Sequence, residues 1–399
     1  MSPHIGQWLN LVVRWLHVTT GIAWIGTSFY FNWLDARLAA PEKPKKRVAG
    51  ELWAVHSGGF YQVRKFKVAP EQLPRTLHWF KWEAYFTWLS GIALLVIVYY
   101  FGSGAVLLPL GSPFSLPVAI GLSVASLAIA WHVYDALCKS RLGDNDLWLS
   151  VVCFVLAVAM AFGLTRVFSD RAAFIHVGAA LGTLMATNVF AVIIPSQRQL
   201  VAAMSDGREP DHILGAKAKQ RSLHNNYMTL PVLFIMVSNH FPVTYGNRYN
   251  WLILTVLVLV GAGVRHYFNL RNRGEHRVWI LPVAAAAMVV LVVVTGPTSR
   301  RVALGGGSSA AAYVPFTAVR TVIRKRCEPC HSITPTNESY SIAPLGVRFD
   351  SPDEIKALAD RINTMAVLSE TMPLGNLTRM TAEERVILGN WIAQGARIQ

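Results

Sequence analysis

"DLWLSVVCFVLAVAMAFGLT", residues Asp146–Thr165, holds twenty residues and one charge, at its edge. As a helix it rises about 30 Å, the depth of a bilayer's hydrocarbon core. A helix apolar on every side has no face for water, so the stretch reads as a membrane span. Seven further runs of this kind lie at roughly 9–34, 80–102, 117–138, 172–194, 226–242, 249–268 and 276–296. The run 226–242 is the weakest, being short and interrupted by Pro231, Asn239 and His240. Together the eight predict an all-α polytopic bundle. The composition agrees: 53% of the 399 residues are hydrophobic and 15% charged, and the 13 Trp suit a lipid–water boundary.

A net charge of +15 raises the question of nucleic acid. Its distribution answers no: the Lys and Arg fall in loops between apolar runs, where they set topology. Loops 35–79, 139–145, 195–225 and 269–275 hold eighteen of them, and loops 103–116, 166–171 and 243–248 hold three. Basic loops stay in the cytoplasm, so eight spans put both termini outside. The expected location is a bacterial inner membrane, multi-pass, with a periplasmic tail and the bilayer as partner. The first run is too long for a signal peptide and lacks a basic start, so no cleaved leader is expected. Loop 35–79 exceeds a plain connector. Within it "HSGGFYQVRKFKVAP" (His56–Pro70) alternates like a strand after a Gly-Gly turn, predicting a small hairpin on the cytoplasmic surface. "TSRRVALGGGSSAAAYVP" (Thr298–Pro315) has the composition of a flexible tether reaching about 20–25 Å. The chain thus divides into a membrane domain (1–296), a linker (297–314) and a tail domain (315–399).

The tail carries "VIRKRCEPCHSITP" (Val322–Pro335). Cys327 and Cys330, three apart, have the spacing for two thioethers to a haem, and the next residue, His331, is then aimed at the iron. A sixth ligand is usually a methionine, which raises the potential. Met365, Met372 and Met380 are the candidates, and Met372, in "SETMPLGNLT", sits where an irregular loop can hold its sulfur over the ring. "TAEERVILGNWIAQGA" begins with a capping box, Thr381 to Glu384, and its Trp391 is expected near the haem edge. The tail resembles small class I cytochrome c modules over its whole length, which implies one covalent haem c. The remaining Cys138 and Cys153 lie in apolar runs and read as inert packing residues.

Histidines at membrane depth are costly and mark sites. His17, His176 and His240 fall in the outer halves of their spans. His17, beside Arg14 and near Thr20 and Gly21, and His176, among small residues, are the preferred pair for a b-type haem between facing helices, with His240 as competitor. A second centre of this kind would bridge a two-electron donor and a one-electron outlet. An inner group gathers Trp131, His132 and Asp135, then His224, Asn225, Asn226 and Tyr227, then Arg265, His266 and Asn269. Such a set suits a flat, anionic, hydrogen-bonding heterocycle. In this reading Arg265, Asn225, Asn226 and Trp131 bind substrate, and His224, His266 or His132 serves as base. The competing reading is an interfacial belt of Arg and His that snorkels.

"RWLHVTTGIAWIGTSFYF" (Arg14–Phe31), "ELWAVHSGGFYQVRKF" (Glu51–Phe66), "RSLHNNYMTLPVLFIMVSNH" (Arg221–His240) and the tail's CEPCH with "TMPLGN" carry a wider resemblance. Across essentially all of its length the chain resembles the bacterial membrane-bound urate oxidase (urate hydroxylase) family, an eight-span domain fused to a cytochrome c. The "LH…W" opening also resembles protoporphyrinogen oxidase and copper-resistance membrane families, which by analogy favours haem binding at His17. The main resemblance implies an oxidoreductase of purine catabolism that converts urate to 5-hydroxyisourate. Electrons would leave through haem c to a periplasmic or membrane acceptor, a cytochrome c or a terminal oxidase, without forming hydrogen peroxide. The alternative is a quinol- or other donor-linked electron-transfer protein without purine chemistry.

Overall fold

The computed structural model describes residues 3–43, 47–67, 70, 72–101, 106–109, 111–247, 249–296, 313–337, 340 and 342–398. Long helices occupy all eight places marked by the apolar runs: α1 (Pro3–Arg37), α2 (Trp82–Leu95, extended by a π-helical turn to Tyr100), α3 (Leu116–Lys139), α4 (Asp146–Val167), α5 (Asp170–Thr187), α7 (His212–Ser238), α9 (Asn250–Asn272) and α10 (Ile280–Val294). Helix α5 runs on through a π-helical turn (Asn188–Ile193) into α6 (Ile194–Ser205), and α8 is a single turn (Pro242–Tyr245). Among the described residues, five helices are long and apolar enough to cross a membrane: Trp82–Tyr100, Leu116–Lys139, Asp146–Val167, Asp170–Ser205 and Asn250–Asn272.

One sequence expectation is corrected. The stretch 195–225 is not a loop followed by a short span. Helix α7 begins at His212, where the Asp211 carboxylate caps it by accepting the Ile213 N–H at 2.8 Å. Its first half carries Arg221, Asn225 and Asn226 on buried faces, where they are met from neighbouring helices.

Helix α5 is the centre of the bundle. Half of its apolar window is buried (50%), against 17–22% in the other four. In lipid, apolar surface gives little drive for helices to associate, so close contact between backbones must hold them. Gly178 shows how: a Cβ there would fall 2.6 Å from the Ile235 side chain of α7. At Gly261 of α9 a Cβ would meet the Pro231 ring at 3.2 Å, so a glycine lets α9 pass the proline of α7. The helices pack around a cluster that includes Tyr99, Phe168, Phe174, Ile235 and Leu254.

Between α1 and α2, β1 (Val48–His56) pairs antiparallel with β2 (Gly59–Phe66), with Trp53 opposite Gln62. The turn is Ser57-Gly58, both at positive φ (49° and 77°), one residue earlier than the Gly-Gly expected. The linker 297–314 lies almost wholly outside the described residues. Beyond it, α11 (Phe316–Arg326), α12 (Pro352–Ala357), α13 (Ala359–Ile362) and α14 (Ala382–Ala393) pack around Ile323, Ile355, Leu388 and Trp391. The capping box is present: the Thr381 hydroxyl accepts the Glu384 N–H, and the Glu384 carboxylate accepts the Thr381 N–H. The tail meets the membrane domain where Gly246 adjoins Ser369. A Cβ on Gly246 would lie 2.7 Å from the Ser369 Cβ, an approach open only to glycine.

Candidate functional site

In the tail, the motif curls back at the end of α11, with the His331 N–H bonded to the Cys327 carbonyl at 2.9 Å. Cys327, Cys330 and His331 line a mostly apolar cavity that opens to solvent. Met365, Met372 and Met380 line the same cavity. The His331 Nδ1 lies 3.0 Å from the Val347 carbonyl. A carbonyl can only accept, so Nδ1 carries the proton and the Nε2 lone pair is left for a metal. Burial pulls the His331 imidazole below its usual pKa, which keeps it neutral, as a ligand must be. Burial also pushes the Cys327 thiol up to about 12, with Cys330 beside it acting in the same direction. That thiol is not poised as a thiolate, which argues against a dithiol redox pair and suits a neutral thioether. The sulfur of Met365 accepts a contact from the Thr371 hydroxyl at 3.9 Å, and Met380 is held through its backbone by both polar atoms of the Asn376 side chain. Met372 is likewise held through its backbone, its N–H donating to the Met365 carbonyl at 2.9 Å and its carbonyl accepting from the Arg385 guanidinium at 2.8 Å. Trp391 does not line the cavity. It is 1% exposed in the tail core, and its indole N–H donates to the Arg397 carbonyl.

In the membrane domain the inner residues fall into two groups on different faces of α7. In the first, Arg221 (4% exposed) donates to the Asp135 carboxylate at 2.7 Å and to the Asn188 carbonyl oxygen at 3.1 Å. Its guanidinium also lies over the Tyr134 and Trp131 rings at 4.9 and 6.0 Å. Asp135 is shared with Lys139 at 2.6 Å. The π-helical turn carries Asn188, whose amide donates to Tyr134 and, at 2.8 Å, to the Asn225 side-chain oxygen. The Asn225 amide donates to the Met185 carbonyl at 2.9 Å, so both ends of its side chain meet protein. His224 shares a hydrogen bond between Nδ1 and the Tyr134 hydroxyl at 2.8 Å. In the second group, Arg265 of α9 (5% exposed) donates through Nε to the Asn226 oxygen at 3.0 Å, and the Asn269 amide donates to the same oxygen at 2.8 Å. The Arg265 guanidinium stands 4.0 Å from the Phe29 ring centroid of α1. The next residue on each helix forms a second pair, Tyr227 hydroxyl to His266 Nδ1 at 2.7 Å.

Three expectations change. His132 is exposed on the surface of α3 and joins neither group. Trp131 and Asn225 stand with Arg221 and not with Arg265, so the inner residues are not one pocket. The b-haem pair His17–His176 does not fit. His176 is fully buried and stacked on Phe168 with ring centroids 4.5 Å apart. Its Nδ1 donates to the Ala172 carbonyl at 2.7 Å, and its Nε2 accepts from the Ser123 hydroxyl at 2.6 Å. No lone pair is left for iron. His17 donates from Nδ1 to the Thr87 carbonyl at 2.9 Å, also near Ser90, which leaves its Nε2 lone pair open as at His331, so it is His176 that breaks the pair. His240 is exposed. Among the described residues no group of three or more His, Cys, Asp and Glu could hold a metal ion.

Sequence reading missed Phe29, Tyr134 and Asn188. Only Asn188 had a signal, as a lone amide inside an apolar run. Comparisons with known proteins match one family model, urate oxidase N-terminal, over residues 3–296. No curated protein and no solved structure gives a significant match. The match covers the whole helical bundle, with both inner groups inside it, and on that ground the chain belongs to the urate oxidase N-terminal family.

Proposed function

We propose that the protein is a membrane-bound oxidoreductase of eight spans. In this reading it converts urate to 5-hydroxyisourate and delivers the electrons through a covalent haem c on a periplasmic tail to an external one-electron carrier. The balanced change is urate plus water to 5-hydroxyisourate, two protons and two electrons. The observation that carries the reading is the joining of a urate oxidase family bundle to a cavity that gathers Cys327, Cys330, His331 and Met372.

The cavity residues fit haem c. Cys327 and Cys330 would hold it by thioethers, and His331 and Met372 would bind its iron. When bound there, the group supplies one-electron transfer. The bundle's residues would bind the urate monoanion and take its protons. His224 and His266 each pair Nδ1 with a tyrosine hydroxyl; with Nδ1–H donating to that oxygen, Nε2 holds the lone pair that takes the proton. Peroxide is not formed in this scheme because the electrons leave by the tail and not to oxygen.

The test is anaerobic. The purified protein is examined by pyridine haemochrome spectrum, then given urate without oxygen. Reduction of a c-type band by urate supports the reading. A c-type band that a quinol reduces rapidly and urate does not would overturn the purine chemistry. Absence of any c-type band would overturn the tail assignment.

A further inference from the structure

The bundle buries two arginines at its inner end, and they differ in one respect. Arg221 has a carboxylate partner, Asp135 at 2.7 Å, and a carbonyl oxygen besides. Arg265 is buried to the same degree, yet its one acceptor is the Asn226 side-chain oxygen, reached through Nε. Among the described residues no carboxylate pairs with it, and its Nη1 and Nη2 groups have no protein acceptor. A buried cation without a counter-ion is a costly arrangement unless something else supplies the negative charge.

A second observation points the same way. Asn226 is 0% exposed, and its amide nitrogen has no hydrogen-bond partner. The orientation of this amide follows from its neighbours. Both Arg265 and Asn269 present donors to it, so the oxygen must face them and the NH₂ must turn elsewhere. Two unmet sets of donors, one of them charged, therefore stand together between α7 and α9. The Phe29 ring already covers one face of the guanidinium.

We propose that Arg265 and Asn226 form the subsite that takes the charged edge of the substrate, a planar heterocyclic anion of the urate class, and that the Arg221–Asp135 ion pair is structural. The assignment rests on the urate reading. A deprotonated N–C=O edge offers adjacent in-plane acceptors, which match the fork of a guanidinium. The orphaned Asn226 amide donates to a further ring oxygen. The arrangement gives specificity by charge, since a neutral analogue leaves the buried cation uncompensated.

The test measures anaerobic urate binding by equilibrium dialysis of the full-length protein in detergent, with dithionite reduction of the tail as a control for integrity. Arg265→Gln should weaken urate binding roughly 10- to 150-fold, the value of a lost charged hydrogen bond, and Arg265→Lys should recover part of it. Asn226→Asp places a carboxylate against Arg265 and should abolish urate binding while preserving the fold. It remains informative should Arg265→Gln misfold. Urate affinity within threefold of the unmodified protein in either variant overturns the assignment. An unmodified protein that dithionite reduces but that neither binds urate nor is reduced by it overturns the underlying urate reading instead.

Discussion

Removing Asp135 should damage the fold more than removing both Asp135 and its partner. The carboxylate bridges Arg221, whose side chain is 5% exposed, and Lys139, whose side chain is 71% exposed. The Lys139 half is a solvated i,i+4 pair and contributes at most about 0.5 kcal/mol. The Arg221 half is different. After Asp135→Ala the guanidinium stays buried, with the Asn188 oxygen and two aromatic faces as its remaining company. Breaking one side of a buried pair costs about 3–5 kcal/mol, because a charge is left without compensation. Asp135→Ala combined with Arg221→Met removes that charge, and the pair replaced by apolar groups should recover most of the loss. The assay is thermal unfolding in detergent of the two single variants and the double, read as a cycle. Urate affinity is measured beside it, and the double variant should stay close to the unmodified value. A loss under about 1 kcal/mol in Asp135→Ala, or a double variant no more stable than that single, would refute the claim that Asp135 neutralises a buried cation.

The remaining predictions concern other parts of the molecule. Met372→Ala should leave the haem attached and lower its potential in a redox titration, and an unchanged potential would move the axial ligand to Met365. Arg326 forks onto Glu384 at 2.9–3.0 Å with both side chains mostly buried. Arg326→Met should therefore cost about 2 kcal/mol and raise hydrogen exchange in 381–398 roughly 30-fold; a change under threefold would count against it. Partial burial opposes the Glu384 charge, but the Arg326 fork and the Thr381 N–H outweigh it and hold its pKa below the ordinary glutamate value. A depressed folded pKa means its stabilisation is present above about pH 4.3 and is lost as pH falls through the folded value. The tail's exchange protection should follow that course in the unmodified protein and be flatter in Arg326→Met. His176→Phe should leave the haem spectrum unchanged, and loss of a b-type band would restore His176 as an iron ligand.

The helices were legible because an apolar run of twenty residues is a local signal. The CEPCH spacing is likewise a local signal, and its Cys327, Cys330 and His331 line one cavity. The start of α7 was not. Arg221 reads as a loop charge until Asp135, 86 residues away, is placed beside it. The His17–His176 pairing failed because sequence gives a residue's depth in a span but not its direction around the helix. Both depths were plausible, yet His176 turns toward Ser123 and Phe168, and His17 turns toward α2. Most of the inner residues lie in one of two hydrogen-bonded groups, with His132 in neither. Their division into a satisfied group and an unsatisfied one could not be read, because it depends on which face of α7 each side chain occupies. Positions 225 and 226 are neighbours in sequence but point about 100° apart on the helix.

The seat between Gly246 and Ser369 bears on how strong the contact between tail and bundle has to be. A tail tethered to the bundle within one chain meets its own docking surface at an effective concentration in the millimolar range. A patch with a dissociation constant of about 1 mM, or about 4 kcal/mol, is then docked half of the time. A separate carrier at cellular levels would need a face of about 1,600 Å² to be held as well. The tail can therefore keep most of its surface for an external partner, and lengthening the linker should weaken docking only slowly, by about 0.6 kcal/mol for each doubling.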